Sequence, residues 1–317
     1  MCLLPEIPAA GTFRNNRENQ KILMHTYFRA IGFSEPMKSL DRINLLDDIL
    51  NKPTYRAYTS MQQDSEEMLT ELRMDLGDGY GITVLGVYDE DDEFDCMDMY
   101  PYMANGRIST LEEISIEPRI DGCSFAGIVD DLKLGMTLIF RLRNVVDYIK
   151  ASEMYRQERP MTSAALSALS IEGTILMPIM KTEQDIQVQE SNYQARNALL
   201  DKARSGNEDA MRDLTLKDMD AYSLLIGKVQ TEDMYTLVDN YFMPTGVECD
   251  LYSILGEIVS CRLTQNPYTL EKIYVMTLDC NHMHFTLCIN QMDLYGEPEV
   301  GRRFRGIVWM QGEIHFN

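Results

Sequence analysis

The stretch that most constrains this chain is its last seventy or so residues, from Cys249 to Asn317. Runs of branched and aromatic residues fill it, and glycines stand inside the runs as well as between them. Asp250 to Leu263 reads as one long strand with Gly256 in its middle. Arg302 to Phe316 reads as another, broken by Gly306 and Gly312. Glycine within a strand marks a bulge, a bend or a close backbone approach. Ile273 to Leu278 and Phe285 to Ile289 look like a hairpin around Asn281, and Leu237 to Met243 is a further candidate strand. Four or five coiled strands of this kind suggest a small closed barrel, of the five-stranded oligonucleotide/oligosaccharide-binding type.

The rest of the chain alternates more. Residues 1–23 are expected to be a flexible extension. Met24 to Phe33 reads as a short half-buried segment. Ser39 reads as the N-cap of a helix that Pro53 stops, with Leu40, Ile43, Leu46, Ile49 and Leu50 at helical spacing. Thr54 to Thr59 is strand-like. Asp64-Ser65-Glu66-Glu67 starts an expected helix ending near Gly77. Strands follow at Ile82–Tyr88, Phe94–Tyr102, Ile114–Ile120, Phe125–Val129 and Met136–Leu142, then a helix from Val145 to Met154. Ala164–Leu169 and Thr174–Met180 read as two more strands. Helices are expected from Thr182 to Arg204, over Glu208 to Leu214, and from the capping box Thr215-Leu216-Lys217-Asp218 to about Gly227. The fold class is therefore α+β: an acidic α+β domain at 24–182, a helical connector at 183–230, and a β-rich, barrel-like domain at 231–317.

Charge narrows the function. Asp and Glu number 50 against 29 Lys and Arg, a formal net charge of −21. Residues 60–131 hold 19 acids against 3 arginines, a local net of −16. Nucleic-acid affinity depends on cations releasing counterions from phosphates, so a general nucleic-acid role is disfavoured. The seven cysteines include no Cys-x-x-Cys, which suits reduced thiols in a cytoplasm. There is no apolar run of about 18 residues, so no membrane span is expected.

Three constellations carry candidate chemistry, each beside an ordinary reading. Cys280, His282 and His284 are ligand types for zinc, with Cys288 further on. Cys280 and Cys288 would lie roughly 26 Å apart along a straight strand, too far for one ion, and a hairpin turn beside buried cysteines reads equally well. The final strand, if regular, puts Arg303, Arg305, Ile307 and Trp309 on one face and Arg302, Phe304, Val308 and Met310 on the other. Two guanidiniums beside an indole suit an anion or a stacked ring, which makes Arg303, Arg305 and Trp309 the candidate contact residues. The ordinary reading packs Trp309 against the other domain and pairs the arginines with carboxylates. Asp89 to Glu93, extended by Asp95 and Asp98, reads as a solvated hairpin tip rather than a calcium loop, because the alternating ligands and turn glycine are missing. Gly122 to Gly127 misses the Gly-x-Ser-x-Gly elbow by one residue.

The order of motifs resembles a known family. It includes His25-Thr26-Tyr27-Phe28-Arg29-Ala30-Ile31-Gly32-Phe33-Ser34, Gly127-Ile128-Val129-Asp130-Asp131, Ser170-Ile171-Glu172-Gly173 and Leu214 to Asp220. It closes with Tyr241-Phe242-Met243-Pro244, Leu255-Gly256-Glu257-Ile258 and Gly296-Glu297-Pro298 through Gly306. The pattern resembles the bacterial domain-of-unknown-function family 3881, over about Met24 to Asn317. The resemblance implies no activity, cofactor or catalytic residue, and the His282/His284 pair lies outside its motifs.

The expectation is a cytoplasmic, non-enzymatic binding or interaction protein without cofactor or metal. Its partner would be a protein or a small ligand. The alternative is an enzyme acting on a small cationic or metal-bound substrate in a carboxylate-lined cleft between domains. A minor alternative is single-strand nucleic-acid binding through the C-terminal β module.

Overall fold

A computed structural model describes residues 25–35, 38–60, 68–88, 93–121, 123–131, 134–154, 162–179, 183–214, 216 and 238–316. The expectations for residues 1–23, for the acidic start at 64–67, for most of the carboxylate run at 89–92 and for the capping box at 215–218 fall wholly or largely outside them. No helix among the described residues is long and apolar enough to cross a membrane.

The described residues open with a 3-10 turn at Thr26–Ile31 that buries Tyr27, Phe28, Ala30 and Ile31. Helix α1, Ser39–Asn51, follows, with Leu45, Leu46, Ile49 and Leu50 inward and Leu40 facing solvent. Lys38 holds the cap position and makes no side-chain cap bond, so Ser39 is the first helical residue rather than the cap. Strands β1 (Tyr55–Ser60), β2 (Met68–Gly77), β3 (Tyr80–Tyr88) and β4 (Phe94–Met103) form a four-stranded antiparallel meander.

The second sheet is larger. It contains β5 (Ile114–Pro118), β6 (Phe125–Asp131), β7 (Met136–Leu142), β8 (Thr162–Leu176), β9 (Tyr241–Pro244), β10 (Leu251–Gln265), β11 (Lys272–Cys280), β12 (Met283–Asn290), β13 (Leu294–Tyr295) and β14 (Arg303–Phe316). Helix α2 (Val145–Met154) precedes β8, and the largely exposed α3 (Glu183–Arg204) follows it. Strands β8, β12, β11, β10 and β14 lie side by side, and β8 also pairs with β14. That last pairing closes a five-stranded barrel. It is mixed, because β8 runs parallel to β12 and antiparallel to β14. Strands β7, β6 and β5 extend from β14 as a flap.

Two expected elements come out differently. The helix expected to end near Gly77 is, from Met68 onward, strand β2, buried on both faces between β1 and β3. The two strands expected around Ser170-Ile171-Glu172-Gly173 are one continuous strand. Gly173 is no turn there: a Cβ on it would lie 2.4 Å from the Phe304 ring, so it makes room for that ring across the β8–β14 pairing. Phe140 of β7 is accommodated the same way, by Gly127 on β6 and Gly312 on β14, where added Cβ atoms would come within 2.2 and 2.5 Å of its ring. Gly127, the end of the imperfect elbow motif, therefore has a packing role.

One apolar core runs from the 3-10 turn through both sheets. Polar groups bridge the sheets as well. Buried Gln311 of β14 donates to Pro101 O at 2.9 Å and accepts from Met103 N at 3.3 Å, both on β4. Arg143 donates to Met103 O at 2.7 Å and to Glu313 at 2.9 Å. The Glu71–Arg73 pair of β2, 2.6 Å apart, lies in the same layer. Buried charges persist only when paired in this way.

Candidate functional site

Trp309 is enclosed, with 1% of its surface exposed. Strand β14 brings it beneath the chain's leading segment, where His25 stacks on the indole at 4.1 Å with the rings 17° from parallel. Tyr27 lies 5.4 Å away, and Tyr100 of β4 meets the indole edge-on at 6.4 Å. Its Nε1 donates to Asp250 Oδ2 at 2.9 Å. The same oxygen receives Arg119 Nη2 at 2.6 Å. Arg141 of β7 lies over the Tyr100 ring, 4.0 Å from its centroid, and pairs with Asp98. Arg141 Nε and Asp250 Oδ1 are buried without a hydrogen-bond partner among the described residues.

This cluster joins five separated segments around one indole. Burial pushes the His25 imidazole down to about 4, aided by the Arg141 charge, so the ring is neutral near pH 7. Its Nδ1 accepts from Tyr27 N at 3.4 Å, which leaves the proton on Nε2. Burial pushes the Cys96 thiol up to about 12, with Asp98 adding to the effect, and the Cys123 thiol likewise, with Asp121. Neither thiol forms a nucleophilic thiolate near neutrality. The cluster pairs buried charges where these segments meet.

The other two expected contact residues lie elsewhere. Arg303 is buried, donating Nε to Met177 O at 3.0 Å and Nη1 to Val238 O at 2.9 Å. Arg305 is exposed on the barrel wall. The structure therefore does not gather Arg303, Arg305 and Trp309 into one surface patch. The strand is not regular: its pairing with β8 shifts between Gly306 and Val308. Beside that shift is an open pocket of about 360 Å3, lined by Glu172, Thr174, Ser253, Asp293 and Arg305.

The histidine pair is also split. His282 and Asn281 form the two-residue β11–β12 turn with φ of 62° and 53°, and the His282 ring meets Tyr193 of α3 at 4.0 Å. Only His284 lies on the strand, with Nε2 3.4 Å from Asp279. The two rings thus do not share a strand face. Cys280 is buried, its thiol directed at the carbonyls of Tyr241 and Leu255. Among the described residues no three His, Cys, Asp or Glu side chains converge to hold a metal ion. Asp98, expected at a solvated hairpin tip, belongs instead to the Trp309 cluster.

Sequence reading missed Arg141, Asp250 and His25. Arg141 had a visible signal: a charge inside the otherwise apolar run Met136 to Leu142 must find a buried partner. Asp250 and Asp98 had none, being two acids among many.

No curated protein and no solved structure matches the chain. One family model does, over residues 28–312, nearly the whole length, and its description reads "Domain of unknown function, E. rectale Gene description". The chain belongs to this family, DUF3881.

Proposed function

We propose that this chain is a non-enzymatic binding protein, with a small-ligand contact on the barrel wall at Arg305. The observation that carries the reading is the lining of that pocket. It offers one guanidinium, the Glu172 carboxylate and two hydroxyls, with no thiol or imidazole, while the Asp293 carboxylate in its wall is held by Arg29. Its Ser253 hydroxyl donates to the Tyr241 hydroxyl at 3.5 Å rather than to a base. Elsewhere, burial keeps His25 a neutral, weak base and keeps the Cys96 and Cys123 thiols protonated near neutral pH. Mixed charges within about 360 Å3 suit a ligand the size of an amino acid that carries both signs.

The test is a thermal-shift panel of free amino acids and dicarboxylic acids on the wild type and on Arg305→Ala. A ligand at about one hundred times its dissociation constant adds roughly 2.7 kcal/mol and raises the melting temperature by a few degrees. The rise should vanish in Arg305→Ala. A flat panel, or a shift that survives the substitution, would remove the Arg305 site. Turnover of a bound compound would move the protein to the enzyme class. The carboxylate-rich groove described next is where the alternative, an enzyme for a small cationic substrate, would have to work. Single-strand nucleic-acid binding has less support: the one tryptophan is enclosed, and a net charge of −21 opposes a phosphate backbone.

A further inference from the structure

Helix α1 and the β10–β11 turn at 266–271 bound an open groove of about 490 Å3. Its floor is apolar, formed by Phe33 and Leu45, both buried. Its walls are acidic: Glu35, Asp41, Asp48 and Glu271 stand against one cation, Lys38, for a net of −3. On α1 the spacing Asp41, Leu45, Asp48 sets one stripe of acid, apolar and acid along the groove. Glu271 is committed internally, accepting from Ser34 Oγ at 2.6 Å and Asn290 Nδ2 at 2.5 Å. Glu35, Asp41 and Asp48 are exposed, although Asp48 accepts from the Tyr268 hydroxyl at 3.2 Å. The Arg29 guanidinium, which senses Glu35, is held by Asp293 at 2.6 Å.

Exposed apolar residues adjoin the lining residues in sequence. Leu40, beside Asp41, is 66% exposed, and Leu270, between Thr269 and Glu271, is 65% exposed. Tyr268 is half exposed on the same turn. Leu270 also has φ of +63°, a left-handed conformation that is strained for a residue with a branched side chain and that Asn or Gly adopts readily. The Leu270 backbone closes the turn, its N–H donating to Asn266 O at 2.9 Å and its carbonyl accepting from Gln265 Nε2 at 2.7 Å, while its side chain stays exposed.

We propose that this groove docks an extended basic segment of a partner protein. Lysine or arginine side chains would lie against Glu35, Asp41 and Asp48, and intervening apolar side chains against Leu40, Tyr268 and Leu270. Charge complementarity selects that occupant. A second copy of a chain with net charge −21 would set acid against acid, and a nucleic acid would do the same with phosphates. A bare small polycation would leave the apolar edge uncovered.

The test uses the full chain and a fluorescein-labelled peptide of alternating Lys/Arg and Leu/Phe, followed by fluorescence anisotropy at low and high salt. Expected is binding that weakens with salt and is reduced at least about tenfold in Glu35→Lys/Asp41→Lys. The charge-matched control Asp201→Lys/Glu208→Lys, on exposed positions away from the groove, should stay within about twofold of wild type. Leu270→Asn should weaken binding about threefold while leaving the melting temperature equal or higher, since Asn relieves the left-handed strain. No binding at low salt would overturn the proposal, as would equal losses in the control. Displacement by spermine combined with an unchanged Leu270→Asn affinity would assign the groove to a small polycation instead.

Discussion

Trp309 is sandwiched between the leading segment and the two sheets, and the side chains around it define what it can do. Its indole N–H is used by Asp250 and its face by His25, so neither is available to a ligand. The predicted signature is a pH dependence with a definite sign. His25 titrates near 4 in the folded chain and near 6.5 when unfolded. Below about 6.5 the unfolded state takes up a proton that the folded state refuses. Stability from this group is therefore complete above 6.5, falls as pH drops through that window, and levels off below 4. The loss should reach about 3 kcal/mol. His25→Phe keeps a ring on the indole and removes the titration. Urea unfolding across pH 4–7 should show wild type losing stability relative to this variant, and parallel curves would refute the assignment. Little of this cluster was legible beforehand. A lone arginine in an apolar strand announces a buried partner, but which of 50 acids answers it depends on closure of the whole fold.

Among the elements, β2 shows why local patterns misled. In Met68 to Gly77, Leu72, Met74 and Leu76 fit a strand, while Leu69, Leu72 and Leu76 fit a helix equally well. The acidic residues just upstream tipped the reading toward a helix. What decides is Glu71 and Arg73: two apart, they share one strand face, and that face is covered by α2 and the end of β14. Burial pushes the Glu71 carboxyl up, and the Arg73 guanidinium and Val146 N–H pull it back. Arg73→Met should cost about 3–5 kcal/mol, because it strands a buried carboxylate. Glu71→Leu/Arg73→Met should recover most of that loss, since replacing both partners by apolar groups is often nearly neutral. Equilibrium denaturation of both variants decides it. If the double variant is as unstable as the single, the pair contributes more than mutual neutralisation. Strand β8 shows the reverse difficulty. Its sequence reads as two strands with a break at its glycine, yet it is continuous, and Ala164, Ala165 and Ala168 are buried within it.

At the scale of the whole molecule, the barrel is the feature that the glycine-bearing strands of the C-terminal region foretold. Four of its strands, β10, β11, β12 and β14, come from that region. The fifth, β8, precedes α3 in the chain, and no pattern within Cys249 to Asn317 announces it. Closure depends on β8 along nearly its full length, from Thr162 opposite Phe316 to Leu176 opposite Arg303. A fragment of residues 231–317 would expose the unpaired edges of β12 and β14 and the apolar side chains that β8 covers, conditions that favour aggregation over folding. Such a fragment should lack a cooperative unfolding transition. In the full chain, Trp309 touches Tyr100 of the first sheet while sitting on the barrel. Its fluorescence and the far-ultraviolet dichroism should therefore change together in one transition. A fragment that folds alone with a sharp transition, or two separated transitions in the full chain, would mean that the barrel closes without β8 and that the sheets are energetically independent. Coincident transitions would mean that the shared core and the buried polar bridges at Arg143 and Gln311 bind the two sheets into one cooperative unit.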